Sequence, residues 1–208
     1  MTVNPSSGPG GAQNAAYAGA ISALKKGAVE YILGYIPTHY AKQDAGHTLA
    51  DLEAMIDSYR EWYPEVNGVS FDQLSSNIAD IGFYRDLGSY ARSHGMEFVR
   101  ANSGTRADET YSSGIFDNVA VYEGSILPSA LQLKENTHFP RYAPQGFSFI
   151  SKNVASLDAA YISQLRDYVG LLYITDAVES ATDSNPYNKL PSYFAELVGL
   201  LDPAHVPR

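Results

Sequence analysis

The chain has 208 residues, 45% of them hydrophobic and 18% charged, a size and balance that fit one domain or two small ones with a substantial core and exclude a disordered acidic chain. Fourteen basic residues against 23 acidic ones give a net charge of −9, which argues against nucleic acid as the main partner. The absence of cysteine excludes a disulfide scaffold, a thiolate zinc site and a cysteine nucleophile. No run of ~18 apolar residues predicts a membrane span. Met1-Thr2-Val3-Asn4-Pro5 has neither a charged start nor an apolar run, so no signal peptide is expected within this chain. Tyrosine is abundant, 16 against 8 Phe and 1 Trp; its apolar ring and polar tip suit half-wet surfaces, sugar clefts and ordinary rims alike.

In chain order, short β-branched or aromatic runs alternate with longer stretches of helical period. Val3-Asn4 reads as the end of a strand, with Ser6-Ser7-Gly8-Pro9-Gly10-Gly11 as its loop and a helix carrying Tyr17, Ile21 and Leu24 behind it. Glu30 to Tyr35 reads as a buried strand. Thr48 then opens a helix with Leu49, Leu52, Met55, Ile56 and Tyr59 on one face, and Asp51 suits its first turn. Gly68 to Phe71 is the next strand. A helix from about Ile78 to Ser93 follows, with Gly95 just past its end. Met96 to Ala101, Asn118 to Tyr122 and Gln145 to Ile150 read as further strands. Ser156 is expected to cap a helix bearing Leu157, Tyr161, Leu165 and Tyr168. Leu171 to Thr175 is the last strand, and Phe194, Leu197, Val198 and Leu201 mark a final helix.

The expected strand ends fall near Asn4, Tyr35, Asp72, Asn102, Glu123, Ile150 and Thr175, at intervals of 21 to 37 residues. A (β/α)₈ barrel uses ~31 residues per unit, so this length holds seven units and not eight. The alternation favours a parallel sheet, either in a barrel or doubly wound; both place function at the carboxyl ends of the strands.

Polar groups gather at those ends. Asp72, Glu123 and Asp176 each follow an apolar strand, Asn4 and Asn102 end two more, and His39-Tyr40 lies in the loop after another. A carboxylate after a buried strand caps the next helix in many proteins, and at the top of a barrel it reads as catalytic. Two such carboxyls are what glycoside hydrolysis needs: one protonates the leaving oxygen, the other attacks the anomeric carbon or activates water. Other chemistries fit less well. The five histidines show no HxxxH or His-carboxylate metal spacing, so no catalytic metal and no cofactor are expected. Gly8-Pro9-Gly10-Gly11 lacks the Gly-Lys-Ser/Thr of a phosphate loop. Gly68-Val69-Ser70-Phe71-Asp72 lacks the last glycine of a nucleophile elbow, and alternation puts Ser70 and Asp72 on one face. The Asp176 to Asn185 stretch, rich in Asp, Ser and Asn, reads as a surface loop.

Six segments carry a resemblance: Val3-Asn4-Pro5-Ser6-Ser7-Gly8-Pro9-Gly10, Gly34-Tyr35-Ile36-Pro37-Thr38-His39-Tyr40, Gly68-Val69-Ser70-Phe71-Asp72-Gln73, Val121-Tyr122-Glu123-Gly124-Ser125, Tyr173-Ile174-Thr175-Asp176, and Asn185-Pro186-Tyr187 through Leu190-Pro191-Ser192-Tyr193. With these the chain resembles the spherulin-4-like family (spherulation-specific family 4). The resemblance implies a (β/α)₈ TIM-like barrel and a glycoside hydrolase, similar to endo-acting α-1,4-N-acetylgalactosaminidases that cut galactosaminogalactan. It implies a secreted or cell-surface protein whose partner is a polysaccharide; a monomer is expected. The family has a further strand and helix before the Asn-Pro segment, so residues 1–208 are expected to form a single catalytic barrel domain lacking its first β/α unit. The family's Phe-x-Asp-Glu pattern stands here as Phe71-Asp72-Gln73, and a neutral amide neither delivers nor takes the catalytic proton. The resemblance implies Asp72 and Glu123 as the catalytic pair, with Asn4, His39, Tyr40, Gln73, Asn102, Tyr122 and Asp176 lining the sugar subsites. The alternatives are a catalytically weak or inactive carbohydrate-binding barrel and a spore-coat or cell-surface structural protein.

Overall fold

Each apolar run between polar loops forms a short strand. In the computed structural model, which describes residues 1–27, 29–104, 108–136, 141–179 and 185–201, there are seven: β1 (Thr2–Val3), β2 (Leu33–Pro37), β3 (Gly68–Asp72), β4 (Phe98–Asn102), β5 (Asn118–Gly124), β6 (Phe147–Ser151) and β7 (Leu171–Ile174). Their order in the sheet is β1-β2-β3-β4-β5-β6-β7, and β1-β2, β2-β3, β3-β4 and β6-β7 pair in parallel. A doubly wound sheet reverses its strand order at a switch point; this one does not, so the winding is that of the (β/α) barrels. The chain is thus α/β, with all seven expected strands present and each ending within two residues of the expected position.

Packing divides the chain into two compact units, Met1–Val119 and a second beginning at Ala120. In the first unit the registers Tyr35↔Ser70↔Arg100 and Ile36↔Phe71↔Ala101 sort the side chains by alternation. Ile36, Val69, Phe71, Val99 and Ala101 share one face and are wholly buried. They meet the apolar faces of α1 (Ala15–Lys26), α2 (Leu49–Trp62) and α3 (Ile81–Ser93), which supply Ile21, Leu52, Ile56, Tyr59, Tyr84, Leu87 and Ala91. Burying each of the larger side chains contributes about 1.5–3 kcal/mol. Gly34 sits on this face where a Cβ would stand 2.6 Å from the ring of Tyr59, so α2 packs against bare backbone there. Tyr35, Ser70, Arg100 and Asp72 fall on the opposite face.

The helix ends follow their sequence signals. Thr48 caps α2 in a capping box: the Asp51 amide donates to Thr48 Oγ1, and Asp51 Oδ2 accepts from the Thr48 amide at 3.0 Å. Asn14 caps α1 by accepting from the amides of Ala16 and Tyr17. Gly95, with φ +82°, follows α3 in the left-handed conformation expected after a helix end.

The second unit has its own core of Phe147, Phe149, Ile162, Leu165, Ile174 and Leu197, built from β6, β7, α5 (Ala159–Leu165) and α6 (Phe194–Leu201). Two expectations are corrected here. The cap of α5 is Asp158, whose Oδ1 accepts from the amides of Ala160 and Tyr161, rather than Ser156; the helix also stops at Leu165, before Tyr168. A helix absent from the sequence reading, α4 (Ala130–Asn136), follows β5. Its start is a Ser-x-x-Gln capping box, Ser129 and Gln132 exchanging hydrogen bonds between side chain and backbone. No helix among the described residues is long and apolar enough to cross a membrane.

Candidate functional site

Strand pairing places the first cluster. Pro37 pairs with Asp72 and Phe71 with Ala101, so Asp72 and Asn102 end neighbouring strands side by side. Both oxygens of the half-buried Asp72 are engaged: the Tyr35 hydroxyl donates to Oδ2 at 2.7 Å, and Asn102 Nδ2 donates to Oδ1 at 3.0 Å. Asn102 is 8% exposed, and its Oδ1 accepts from the Gly104 amide, which fixes the amide group's orientation. Deeper on the same face, Arg100 donates to Ser70 Oγ at 3.0 Å. Ser70 and Asp72 share a face, as alternation predicts, and Ser70 accepts from Arg100; among the described residues no histidine hydrogen-bonds to it as the base of a triad would.

The backbone around Asp72 is held from behind. Thr38 donates its amide to the Asp72 carbonyl at 2.9 Å, and Tyr40 donates its amide to the Gln73 carbonyl at 2.8 Å. Thr38 Oγ1 lies 2.9 Å from the Asp72 carbonyl and 3.0 Å from that of Gln73. It also meets the Tyr84 hydroxyl, which accepts from the Ser75 amide at 2.8 Å. Burial pushes the Tyr84 phenol above its usual range, so it stays a neutral hydroxyl able to give and accept at once. Gln73 adopts φ +56°, and His39, Tyr40 and Ala41 adopt φ +48°, +59° and +57°. Left-handed backbone at four non-glycine residues is unfavourable and persists only where the surroundings over-determine it.

The other expected residues of this unit are placed as follows. Tyr40 is exposed, with Lys42 Nζ over its ring at 5.6 Å from the centroid. His39 turns Nδ1 to Asp44 Oδ1 at 2.8 Å. Asn4 is exposed and organises its own loop: Oδ1 accepts from the Gly8 amide and its carbonyl accepts from the Tyr17 hydroxyl.

In the second unit Glu123 is half-buried at the carboxyl end of β5, and the Tyr187 hydroxyl donates to its Oε1 at 2.7 Å. Burial, then the Glu123 carboxylate itself, push the Tyr187 phenol far up, so it remains a donor at any working pH. Tyr173 stands edge-on to Tyr187, with ring centroids 6.0 Å apart. Tyr122 stacks on Phe149 at 4.5 Å and its hydroxyl donates to the Ile126 carbonyl, which ties down the turn after β5. Asp176 accepts from the Ser192 amide at 3.1 Å, and hydrogen bonds from Ser192 hold its carboxyl below the usual range. Of the Asp176 to Asn185 stretch, 180–184 lie outside the described residues, as do His138 and His205.

Sequence reasoning did not name Tyr35, Arg100 or Tyr187 as site residues. For Tyr35 and Arg100 the signal was available, because residues two apart on a strand share a face with Pro37 and Asn102. Tyr187 reaches Glu123 across 64 positions, a pairing without a local signal.

The chain is similar to known proteins over nearly its whole length. The profile of a family described as "Spherulation-specific family 4" matches residues 1–201. Spherulin-4 of Physarum polycephalum is 27% identical over 209 residues, covering 93% of this chain; the chain spans 59% of that relative's length.

Proposed function

The chain belongs to spherulation-specific family 4, and from that premise we propose that it is a glycoside hydrolase acting within chains of α-1,4-linked N-acetylgalactosamine. The observation that carries the reading is Asp72, a carboxylate at a strand's carboxyl end whose two oxygens are each held by a neutral donor. Neutral donors orient the carboxylate, and no ion pair to it occurs among the described residues. It is then free to attack, or to stabilise, the positive charge that builds on an anomeric carbon during glycoside cleavage. Glu123 supplies the second carboxyl in this reading, as the general acid and base, with Tyr187 as the hydroxyl that orients it. Tyr40, Gln73, Asn102 and Asp176 are assigned to hydroxyl and acetamido groups of the sugar. A (β/α) barrel, a secreted or cell-surface location and a monomeric state belong to the same proposal.

A second reading has its own observation. Gln73 stands where the family pattern has a glutamate, and a carboxamide hydrogen-bonds a sugar without exchanging a proton. That favours a barrel that holds the polymer and does not cut it. Mass spectrometry of oligosaccharides released from galactosaminogalactan by the full chain separates the two. Internal cleavage products are expected; retention of the polymer on the protein with its length unchanged supports the binding reading instead.

A further inference from the structure

The loop between β2 and α2 gathers His39, Asp44 and His47, and nothing in the proposed sugar chemistry uses all three. Asp44 Oδ1 lies 2.8 Å from His39 Nδ1 and 3.3 Å from His47 Nδ1, and the three potential ligand atoms all fall within 4.8 Å of one another. The two imidazole rings face each other with centroids 4.7 Å apart and a tilt of 52°. His47 Nδ1 is shut off from solvent and makes no hydrogen bond among the described residues, although Asp44 is near. A buried ring nitrogen without a partner is unfavourable, and a cation is one group that would satisfy it.

The geometry points to a binding site for a first-row divalent cation of the Zn²⁺, Ni²⁺ or Cu²⁺ type, with His39 Nδ1, Asp44 Oδ1 and His47 Nδ1 as its three protein ligands. Two imidazoles and a carboxylate are the donor set such ions prefer. Zn²⁺ bonds of about 2.0–2.1 Å in a tetrahedron put ligand atoms about 3.3 Å apart, close to the 2.8 and 3.3 Å that separate Asp44 Oδ1 from the two ring nitrogens. Binding takes both rings as neutral tautomers, protonated on Nε2. The fourth position stays open.

The scaffold around the three is already built. The His47 amide donates to the Asp44 carbonyl at 2.9 Å, with Gly46 at φ +83° between them, so one turn sets Asp44 and His47 side by side. His47 directly precedes the capping box of α2, which anchors it to a rigid helix start. His39 begins the left-handed turn whose Tyr40 amide binds the Gln73 carbonyl. An ion here would therefore hold in place the loop that braces the backbone next to Asp72. This departs from the expectation of no metal, which rested on finding neither HxxxH nor a His-carboxylate metal spacing; His-x₄-Asp-x₂-His is a His-carboxylate spacing, closed by a turn.

The test is calorimetric titration of the full 208-residue chain, stripped with chelator, using ZnCl₂, alongside His47→Gln, Asp44→Asn and the control His94→Gln. Co²⁺ absorption reports imidazole ligation in the same proteins, and far-UV circular dichroism reports folding. One ion per chain is expected, with affinity at least ~10-fold weaker in His47→Gln and Asp44→Asn and unchanged in His94→Gln. Should His47→Gln not fold, His39→Gln gives the same reading. No saturable binding by the wild-type chain, or variants that bind as tightly as it does, would overturn the site.

Discussion

At the scale of residues, the chemistry turns on how Asp72 is held. A hydrogen bond to an ionised group contributes about 1.5–3 kcal/mol, and ~1.4 kcal/mol is a factor of ten in rate. Tyr35→Phe removes the donor to Asp72 Oδ2 and leaves the ring in place. It is expected to lower kcat about tenfold or more on the polymer while the chain still folds, as circular dichroism reports; an unchanged kcat would remove Tyr35 from the site. Asp72, Asn102 and Glu123 were legible because a polar residue directly after an apolar strand is conspicuous. Tyr187 was not, because its partner is brought to it by the fold alone. The left-handed φ of Gln73 and of His39 to Ala41 was equally invisible, since none of these residues is the glycine that usually marks such backbone.

At the scale of elements, two predictions separate packing from capping. Gly68 lies where a Cβ would come within 2.4 Å of the Phe98 carbonyl oxygen and 2.5 Å of Leu33, so Gly68→Ala is expected to cost about 1–3 kcal/mol by overpacking. Gly82, in α3, has open space around it, and Gly82→Ala is expected to stabilise by up to about 1 kcal/mol. Chemical denaturation of the pair measures both, and effects of equal sign would refute the packing argument. The α2 cap makes a prediction in pH. Bonds from Thr48 hold the Asp51 carboxyl below its usual range. A depressed folded pKa means stability present above the unfolded value, about 3.9, and lost as pH falls through the folded one. The acid limb of the melting curve is expected to flatten in Asp51→Asn below about pH 4, and an unaltered limb would exclude the cap as a contributor. Thr48 and Asp51 were readable because a capping box is local. Ser129 and Gln132 carry the same signal and announce α4, but only one turn of apolar period follows them. Asp158 displaced Ser156 as a cap because its side chain reaches two free amides at the start of α5.

At the scale of the whole molecule, the seven strand positions were readable from spacing because each β/α unit repeats the same alternation of apolar run and amphipathic stretch. Spacing alone left barrel and doubly wound sheets open; the uninterrupted strand order decides for barrel-type winding. The division into two compact units was not legible, since β5 runs through the boundary as one ordinary apolar strand. The family match over residues 1–201 takes in strand-end residues of both units, and the proposed hydrolase reading starts from it. Reducing-end release from galactosaminogalactan by the full chain, beside folded Asp72→Asn and Glu123→Gln, tests that reading most directly. Release by the wild type that is abolished in both variants is predicted. Undiminished release by either variant would contradict the assignment of the two carboxylates, and no release by a folded wild type would contradict the hydrolase itself.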